Sequence, residues 1–242
     1  MKILFVFTTL LSAVAAVAMP GTFSTNPAEH CLQPHDGFLA VSAQMADFDM
    51  VQTAGESWET EWIPTYMHIT STSVKPDDGW ISNDTLYNQI DVFNTAYRSA
   101  GFQFALLNIS HNVSEDLAET HPGENAIWGH PGQFSKDRKP LTRHLQVMNV
   151  SLDGHHAAVH EIGHWLGLLH TFGGNCTDGN DFVHDTPAHL QPSGDTMYTC
   201  DVTVDTCPDN PGLDPNANYM NYMQPKCMTG GFASGQAGRM RS

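Results

Sequence analysis

One eleven-residue segment constrains this chain more than any other: it spans residues 160–170 and reads HEIGHWLGLLH. His160 and His164 are four residues apart, which on an α-helix places both imidazoles on one face, one turn apart. Two such nitrogens can bind one Zn²⁺ at about 2.0–2.1 Å. A straight helix would carry His170 away from that ion. Gly167 tolerates the left-handed conformation that ends a helix, so the chain can turn there and bring His170 back to the metal.

Three protein ligands leave a fourth zinc position for water, which is typical of catalytic rather than structural sites. Glu161 follows the first ligand and is the expected general base. Bound zinc lowers the pKa of its water to about 7, so a carboxylate can accept the proton at neutral pH. The hydroxide would attack a carbonyl group, and Glu161 would pass the proton to the departing amine. The alternative is a surface helix with incidental histidines, but a chance match to five fixed positions has a probability on the order of 10⁻⁴.

The remaining histidines are not expected to bind the same ion. The chain has 14 histidines. His156 lies eight residues before His164, about 12 Å along a helix at 1.5 Å per residue, so the two cannot share a zinc ion with His160. We interpret His155 and His156 as solvated residues at the start of the helix. His184 and His189 are interpreted as loop residues. A histidine-rich metal scavenger, which would hold several ions loosely, is a further alternative.

The first residues have the pattern of a secretory signal. Lys2 supplies the positive charge, residues 3–11 are apolar, and residues 16–18 form a small-x-small cleavage site. A membrane anchor is disfavoured because the apolar run is short and ends at Pro20 and Gly21. We therefore predict a signal peptide over 1–18, a pro-segment or N-terminal extension over 19–58, a catalytic domain over 59–242, and a secreted, extracellular protein.

Secretion changes the interpretation of the five cysteines, because an oxidising compartment favours disulfides. Four of them lie in the last third of the chain: Cys176, Cys200, Cys207 and Cys227. Four cysteines allow three connectivities, which spacing alone does not separate. Cys31 is left over, far from the others.

Secretion also makes Asn-x-Ser/Thr sequons relevant, since each can carry a glycan if it is exposed. The three glycosylation candidates are Asn83, Asn108 and Asn112. Asn175 is disfavoured because a cysteine lies inside its sequon, and Asn149 because it lies in a predicted strand.

Charge limits the partners. The 26 acidic and 10 basic side chains give a formal net charge of −16. Nucleic-acid binding requires a basic surface, and anionic membranes repel such a chain, so neither is expected as a partner. Apolar residues make up 40% of the sequence, which is ample for a buried core. We expect a soluble protein, monomeric, with protein or peptide substrates.

Hydrophobic periodicity predicts strands over 62–70, 102–109 and 144–150. A helix is predicted over 83–100, because Leu86, Ile90, Phe93 and Tyr97 recur at helical spacing and Gly101 follows as a stop. The helix that carries the histidines must begin near 153. After residue 170 the chain is rich in Gly, Pro, Asp and Asn, with a short final helix from about 236. This mixture predicts an α+β fold.

The HEIGHWLGLLH segment resembles the zinc motif of the metzincin metalloproteases at every fixed position. The flanking sequence is similar to the pappalysin-type (M43) family, especially its secreted fungal extracellular metalloproteases. The similar stretches are HEIGHWLGLLHTFGGNC (160–176), DFVHDTP (181–187), DTC (205–207), GLDPNANYMNYM (212–223) and GQAGRMRS (235–242). The resemblance implies a small twisted sheet with a backing helix and a zinc-site helix, then an irregular, disulfide-braced C-terminal subdomain. It also implies zinc-dependent endopeptidase activity, with one Zn²⁺ per chain.

The resemblance implies roles for further residues. Met220 matches the Met-turn, an apolar base beneath the zinc, and Tyr222 matches a tyrosine that approaches the metal or the tetrahedral intermediate. The implied disulfides are the crossed pairs Cys176–Cys207 and Cys200–Cys227. Asp181, Asp185 and Thr186 lie where some relatives bind a structural Ca²⁺. The favoured interpretation is nevertheless an acidic loop with solvated carboxylates.

The chain departs from the family pattern in two places. Relatives carry several dozen residues between the strand that matches RHLQVMNVS and the zinc helix, including the edge strand that pairs with substrate. Only a few residues stand there in this sequence, so a secreted zinc-binding relative without activity is the alternative function. Some relatives block the zinc with a pro-segment cysteine. Cys31 matches that segment poorly and is expected to be unpaired or bonded to a partner.

Overall fold

The structure is a computed structural model of the 242-residue chain, and it describes residues 2–6, 42–43, 58–115, 156–173, 175–177 and 180–241. The strands are β1 (Lys2–Val6), β2 (Glu61–Ser71) and β3 (Phe102–Val113). The α-helices are α1 (Asn83–Ala96), α2 (Ala157–Trp165), α3 (Thr196–Thr199) and α4 (Ser234–Arg239). Single 3₁₀ turns lie at Pro76–Asp78, Arg98–Ala100 and Pro225–Cys227. The predicted strand over 144–150, Cys31, Asn149 and His155 lie outside the described residues.

The three strands form one sheet in the order β1-β2-β3. β2 and β3 are parallel, whereas β1 runs antiparallel to β2, with Lys2 opposite Thr70 and Val6 opposite Tyr66. β1 falls inside the predicted signal peptide. Removal of residues 1–18 would therefore take this strand away and leave β3 as the neighbour of β2 in the described part of the sheet.

Alternation along β2 shows which face of the sheet is buried. Ile63, Met67 and Ile69 are buried, and the residues between them are partly exposed. This period of two places every second side chain on the face that packs against α1. Thr65 and Ser71 complete the buried row. The predicted strand over 62–70 is thus observed, extended by one residue at each end.

Helix α1 begins with Ser82, whose hydroxyl accepts a hydrogen bond from the Thr85 N–H at 3.2 Å. The helix ends at Ala96, four residues earlier than predicted. The chain then tightens into the 3₁₀ turn over residues 98–100 and closes at Gly101, whose φ of +74° favours glycine. The tighter turn aims the chain directly into β3, which the periodicity did not show.

Helices α1 and α2 share one apolar core with the inner face of the sheet. Its largest fully buried side chains include Phe93, Tyr97, Phe104 and Ile162. The Tyr97 hydroxyl donates a hydrogen bond of 2.6 Å to the Val159 carbonyl in α2. The helix that carries the predicted ligands is therefore fixed to α1 by both packing and a buried polar contact. The α+β fold class is confirmed.

The chain after α2 has little regular secondary structure and is cross-linked instead. The disulfides are Cys176–Cys207 and Cys200–Cys227, separated by 31 and 27 residues in sequence. They are the crossed pairs that the family resemblance implied. Such cross-links stabilise a loop-rich subdomain by limiting the freedom of its unfolded chain. No helix in the described residues is long and apolar enough to cross a membrane.

The last described residue joins the C-terminal helix to the sheet. Arg241 donates hydrogen bonds to the carbonyls of Ala100 (2.7 Å), Gly101 (2.6 Å) and Glu59 (2.9 Å). Its guanidinium also lies over the Phe102 ring, 4.7 Å from the centroid. Residues 59–61 and the turn that leads into β3 are thus held by one side chain that follows α4.

Candidate metal centre

Helix α2 ends where the sequence required a turn. It ends at Trp165, and Gly167 has a φ of +94°. The Gly167 N–H donates to the His164 carbonyl at 3.0 Å, and the Leu168 N–H donates to the Gly163 carbonyl at 3.0 Å. These bonds satisfy the last carbonyls of the helix and reverse the chain. The turn directs the following residues back along the helix, toward the face that carries the two histidines.

The structure brings the three predicted ligands together. The Nε2 atom of His164 lies 3.1 Å from Nε2 of His160 and 3.0 Å from Nε2 of His170. An ion bound tetrahedrally at 2.0–2.1 Å would separate its ligand atoms by about 3.3 Å, so the observed spacing fits one zinc-sized ion. Among the described residues, this triad is the one group of three or more His, Cys, Asp or Glu side chains that can hold a metal ion.

Hydrogen bonds orient two of the imidazoles. His160 Nδ1 lies 2.7 Å from the Tyr219 carbonyl, and His164 Nδ1 lies 2.8 Å from the Leu168 carbonyl. A carbonyl only accepts, so each Nδ1 carries the proton and each Nε2 presents a lone pair. Backbone partners of this kind fix the tautomer of metal-binding histidines.

Burial keeps the triad in the neutral form that binds metal. Desolvation, followed by the charge of His164, lowers the pKa of His160 to about 3. Desolvation lowers the pKa of His164 to about 4, and the pKa of His170 is also held well below its usual value by burial and by its two neighbours. Three neutral imidazoles whose lone pairs converge at about 3 Å repel each other unless a cation lies between them. The residues present therefore fit a metal ion.

Met220 packs directly beneath α2. Its side chain is fully buried, and its Sδ lies against Gly163, where an added Cβ would be 2.4 Å from the sulfur. The Met220 N–H donates to the Asn218 side chain at 2.8 Å, and the Met220 carbonyl accepts from the Thr171 N–H at 3.1 Å. The methionine segment is thus hydrogen-bonded to the residue that follows the third histidine.

Two aromatic rings enclose the third histidine. The Phe172 ring stacks on His170 with centroids 4.8 Å apart and an interplanar angle of 9°. The Tyr222 ring approaches His170 edge-on, with centroids 4.3 Å apart. Tyr222 is buried and lies beside the triad.

Glu161 is half-buried on α2, one residue after the first ligand. Its charge is close enough to Tyr97 to raise the pKa of that phenol, in addition to the larger effect of burial. Tyr97 therefore stays protonated and serves as the hydrogen-bond donor to Val159. Glu161 itself follows His160 directly in α2.

The sequence did not indicate the role of His189. It lies outside the triad and is fully buried, and its Nε2 lies 2.9 Å from the Thr171 hydroxyl. The His189 carbonyl accepts from the Gly173 N–H at 3.2 Å. His189 therefore holds the segment that follows His170. A loop histidine has no periodicity that could have revealed this contact.

The other histidines lie outside the triad. His156 precedes α2, and its ring contacts Tyr219 with centroids 5.0 Å apart. His184 is exposed. Neither is part of the triad. His156 is half-buried against Tyr219, so its interpretation as a solvated residue is wrong.

The acidic loop contacts helix α4. Asp185 accepts hydrogen bonds from the Gly235 N–H with both oxygens, at 3.1 and 2.9 Å. Asp181 is buried, accepts from the Val183 N–H at 3.1 Å, and lies 3.5 Å from the Gln236 amide nitrogen. Burial raises the pKa of Asp181 to about 8, against smaller opposing effects of its hydrogen bonds. Asp181 is only 1% exposed, so the interpretation of its carboxylate as solvated is wrong. A structural Ca²⁺ at Asp181, Asp185 and Thr186 stays a prediction.

A solved structure has the same architecture. Mature mirolysin of Tannerella forsythia, determined in complex with a cleaved peptide, aligns with a TM-score of 0.53 and 21% sequence identity over 77% of this chain and 92% of that chain. The fold is thus that of the metzincins, the class whose zinc motif the triad matches.

Sequence comparisons give the family. The profile of peptidase M43, described as pregnancy-associated plasma protein-A, matches residues 136–242. An extracellular metalloprotease of Pyricularia oryzae is 30% identical over 281 aligned positions, which cover 98% of this chain and 94% of that protein. One from Colletotrichum graminicola is 32% identical over 74% of this chain and 75% of its own length. The chain belongs to the peptidase M43 family, together with these fungal extracellular metalloproteases.

Proposed function

We propose that this protein is a secreted endopeptidase that binds one Zn²⁺ through His160, His164 and His170 and hydrolyses peptide bonds of extracellular proteins. The observation that carries the proposal is the convergence of three neutral imidazoles, in which the Nε2 atom of His164 lies 3.0–3.1 Å from the Nε2 atoms of the other two. We further propose that the protein acts as a monomer, with protein or peptide substrates and without nucleic acid or membrane partners.

We assign a different chemical role to each residue of the site. A bound zinc ion supplies the Lewis acidity that makes water a nucleophile at neutral pH. Glu161 accepts the proton of that water on its carboxylate and later gives it to the departing amine. Tyr219 and Leu168 hold the ligand rings through their carbonyls, which orients the ligands before substrate arrives. We infer that Tyr222, whose ring lies beside His170, donates a hydrogen bond to the oxygen that becomes negative as the carbonyl is attacked.

The substitution Glu161→Gln tests the general base. It keeps the shape of the side chain and removes its basicity, so hydrolysis of casein should fall by about 10²–10⁴-fold. Zinc content, measured by elemental analysis, should stay at one ion per chain. Glu115→Gln changes an exposed glutamate in the same way and serves as the matched control. Undiminished cleavage by Glu161→Gln would contradict the assignment.

The ligand set has its own test. His170→Ala should lose zinc, and zinc should not restore its activity, whereas the chelated wild-type protein should recover when zinc is added. Retention of one tightly bound zinc by His170→Ala would show that the third ligand is a different residue.

We propose the same chain organisation that the sequence predicted: a signal over 1–18, an extension over 19–58 and a catalytic domain over 59–242. The relatives named extracellular metalloproteases support export. N-terminal sequencing of protein collected from the medium of a secreting host tests this. A product that still contains residues 2–6 would show that β1 remains in the mature sheet.

A second candidate function is a secreted zinc-binding relative that does not cut. The alignment with the Pyricularia oryzae protein spans 281 positions, more than the 242 residues of this chain, so that relative has residues without a counterpart here. A shortened cleft would follow if these residues line the substrate groove. Purified wild-type protein that holds one zinc but cleaves no member of a peptide library would favour this candidate.

A further inference from the structure

Strand β3 forms an edge of the sheet in the described part of the chain, because it pairs with β2 on one side only. It is 12 residues long and reads FQFALLNISHNV, without a single Lys, Arg, Asp, Glu, Pro or Gly. Edge strands are usually protected from pairing with other chains by charges, prolines or short length. Long uncharged segments of high β-propensity are the ones that pair edge to edge. β3 thus has none of these sequence-based protections.

A β-bulge decides which side chains of β3 face outward. Thr65 pairs with Leu106 and Tyr66 pairs with Asn108, so Leu107 is an extra residue. An extra residue shifts the alternation by one position. Beyond it, Asn108 lies opposite Tyr66, on the face of the sheet away from the buried row.

The same shift places a second asparagine on the outer face. Asn112 lies opposite Thr70, and both asparagine side chains are exposed. They are four residues apart, about 13 Å at roughly 3.3 Å per residue. Each begins an N-x-S sequon, completed by Ser110 and Ser114. Two acceptor sites for a glycan thus lie along the outer face of an edge strand that has a bulge but no charged residue or proline to protect it.

We propose that Asn108 and Asn112 carry N-linked glycans in the secreted protein, and that these glycans prevent β3 from pairing with a strand of a second molecule. Neighbouring strands approach to about 4.7–4.9 Å, and an oligosaccharide beside the edge leaves no such space. The proposal goes beyond proteolysis and rests on one part of the proposed function, the export of the chain.

The modification uses an oligosaccharide linked to a lipid carrier through a diphosphate. The side-chain nitrogen of asparagine forms a bond to the anomeric carbon of the sugar, the bond from that carbon to the diphosphate oxygen breaks, and the amide loses one proton. No oxidant or reductant is needed. Since transfer occurs on the chain as it enters the secretory compartment, the fold has only to tolerate the product, and two exposed outward side chains do so.

Site occupancy is measured on the full chain secreted from a yeast host. Enzymatic deglycosylation converts each glycosylated asparagine to aspartate, and peptide mass spectrometry then locates the conversion. We expect conversion at both Asn108 and Asn112. Secreted protein in which both side chains are unmodified would overturn the proposal.

The role of the glycans is tested by light scattering after size exclusion at micromolar concentrations. The double variant Asn108→Gln/Asn112→Gln, which adds no charge to the strand, should shift from monomer to dimers and larger species. Asn83→Gln removes a sequon at the start of α1, away from the edge strand, and should remain monomeric. If the double variant also remains monomeric, the protective role is wrong.

Two measurements separate this proposal from the proposed function. Retention of the chain inside the cell would contradict export, on which both depend. A secreted, glycosylated protein that cleaves no substrate would contradict the protease proposal and leave the glycan proposal intact. All variants can be compared in a Glu161→Ala background, so that self-cleavage does not alter the size distribution.

Discussion

Replacing Gly163 by alanine tests the contact between the metal-site helix and Met220. Helix propensity alone favours alanine over glycine by about 0.8–1.0 kcal/mol. In this fold, however, the new Cβ would lie 2.4 Å from the Met220 Sδ and 3.2 Å from its Cε. A methyl group forced into a filled core costs about 1–3 kcal/mol. The net expectation is a loss of about 0–2 kcal/mol in the free energy of unfolding of the zinc-free protein.

A double-mutant cycle isolates this contact. Met220→Ala alone should cost about 2–5 kcal/mol, because it empties a buried site. In that background Gly163→Ala meets no sulfur, so it should stabilise the protein by about 1 kcal/mol through helix propensity. The two substitutions should therefore be coupled by about 1–3 kcal/mol. Urea denaturation of all four proteins in the presence of a chelator gives the coupling directly.

The affinity for zinc should also fall when Gly163 is replaced by alanine. Met220 adjoins Tyr219, whose carbonyl holds the His160 ring at 2.7 Å. Displacement of Met220 by the new methyl group disturbs that partner, and loss of such a partner costs about 10–100-fold in metal affinity. Competition with a fluorescent chelator measures the change. If Gly163→Ala stabilises the wild-type protein as much as it stabilises Met220→Ala, and leaves the zinc affinity unchanged, the packing argument is refuted.

Three further predictions follow from the site and its supports. Burial lowers the pKa of His160 to about 3 and that of His164 to about 4, from a usual value of 6.5. Below pH 6.5 the unfolded chain therefore binds more protons than the folded chain. The chelated protein should lose stability as the pH falls from 6.5 toward 4, and urea midpoints measure this loss. Tyr97→Phe should lower the free energy of unfolding by about 1–3 kcal/mol, because it leaves the buried Val159 carbonyl of α2 without its donor. As a control, Tyr87→Phe at an exposed position of α1 should change this free energy little. Arg241→Ala should lower the thermal midpoint by several degrees, because it removes three charge-assisted hydrogen bonds. The control Arg98→Ala changes an exposed arginine and should not lower the midpoint. Equal midpoints for the two variants would contradict the role of Arg241.

The convergence of the three histidines could be predicted because its geometry is local. The i, i+4 spacing of His160 and His164 and the turn at Gly167 depend on helix geometry and on the conformational range of glycine, which the sequence carries directly. The strand β2 could be predicted as well, because residues 62–70 are rich in side chains that favour strands.

The features that the sequence did not reveal depend on distant contacts. The hydrogen bond from Tyr97 to Val159 joins residues 62 positions apart, and the contact between His189 and Thr171 joins two irregular segments. In β3 the alternation of Phe102, Phe104 and Leu106 would place Asn108 on the inner face. The extra residue Leu107 reverses that assignment, and a bulge has no simple sequence signature.

The hydrogen bonds of Arg241 have a consequence for biosynthesis. Arg241 follows Gly101 by 140 residues, so the carbonyls that it binds are made long before it. At roughly 5–20 residues per second, that interval is about 7–28 s. His160 is likewise made before Tyr219, the residue 59 positions later whose carbonyl orients the His160 ring. The sheet and the helix α2 are therefore synthesised before Tyr219 and Arg241, the residues that hydrogen-bond to them. A chain still being translated has the ligands of the site without their supports, so proteolytic competence should begin only after residues 219–241 have emerged.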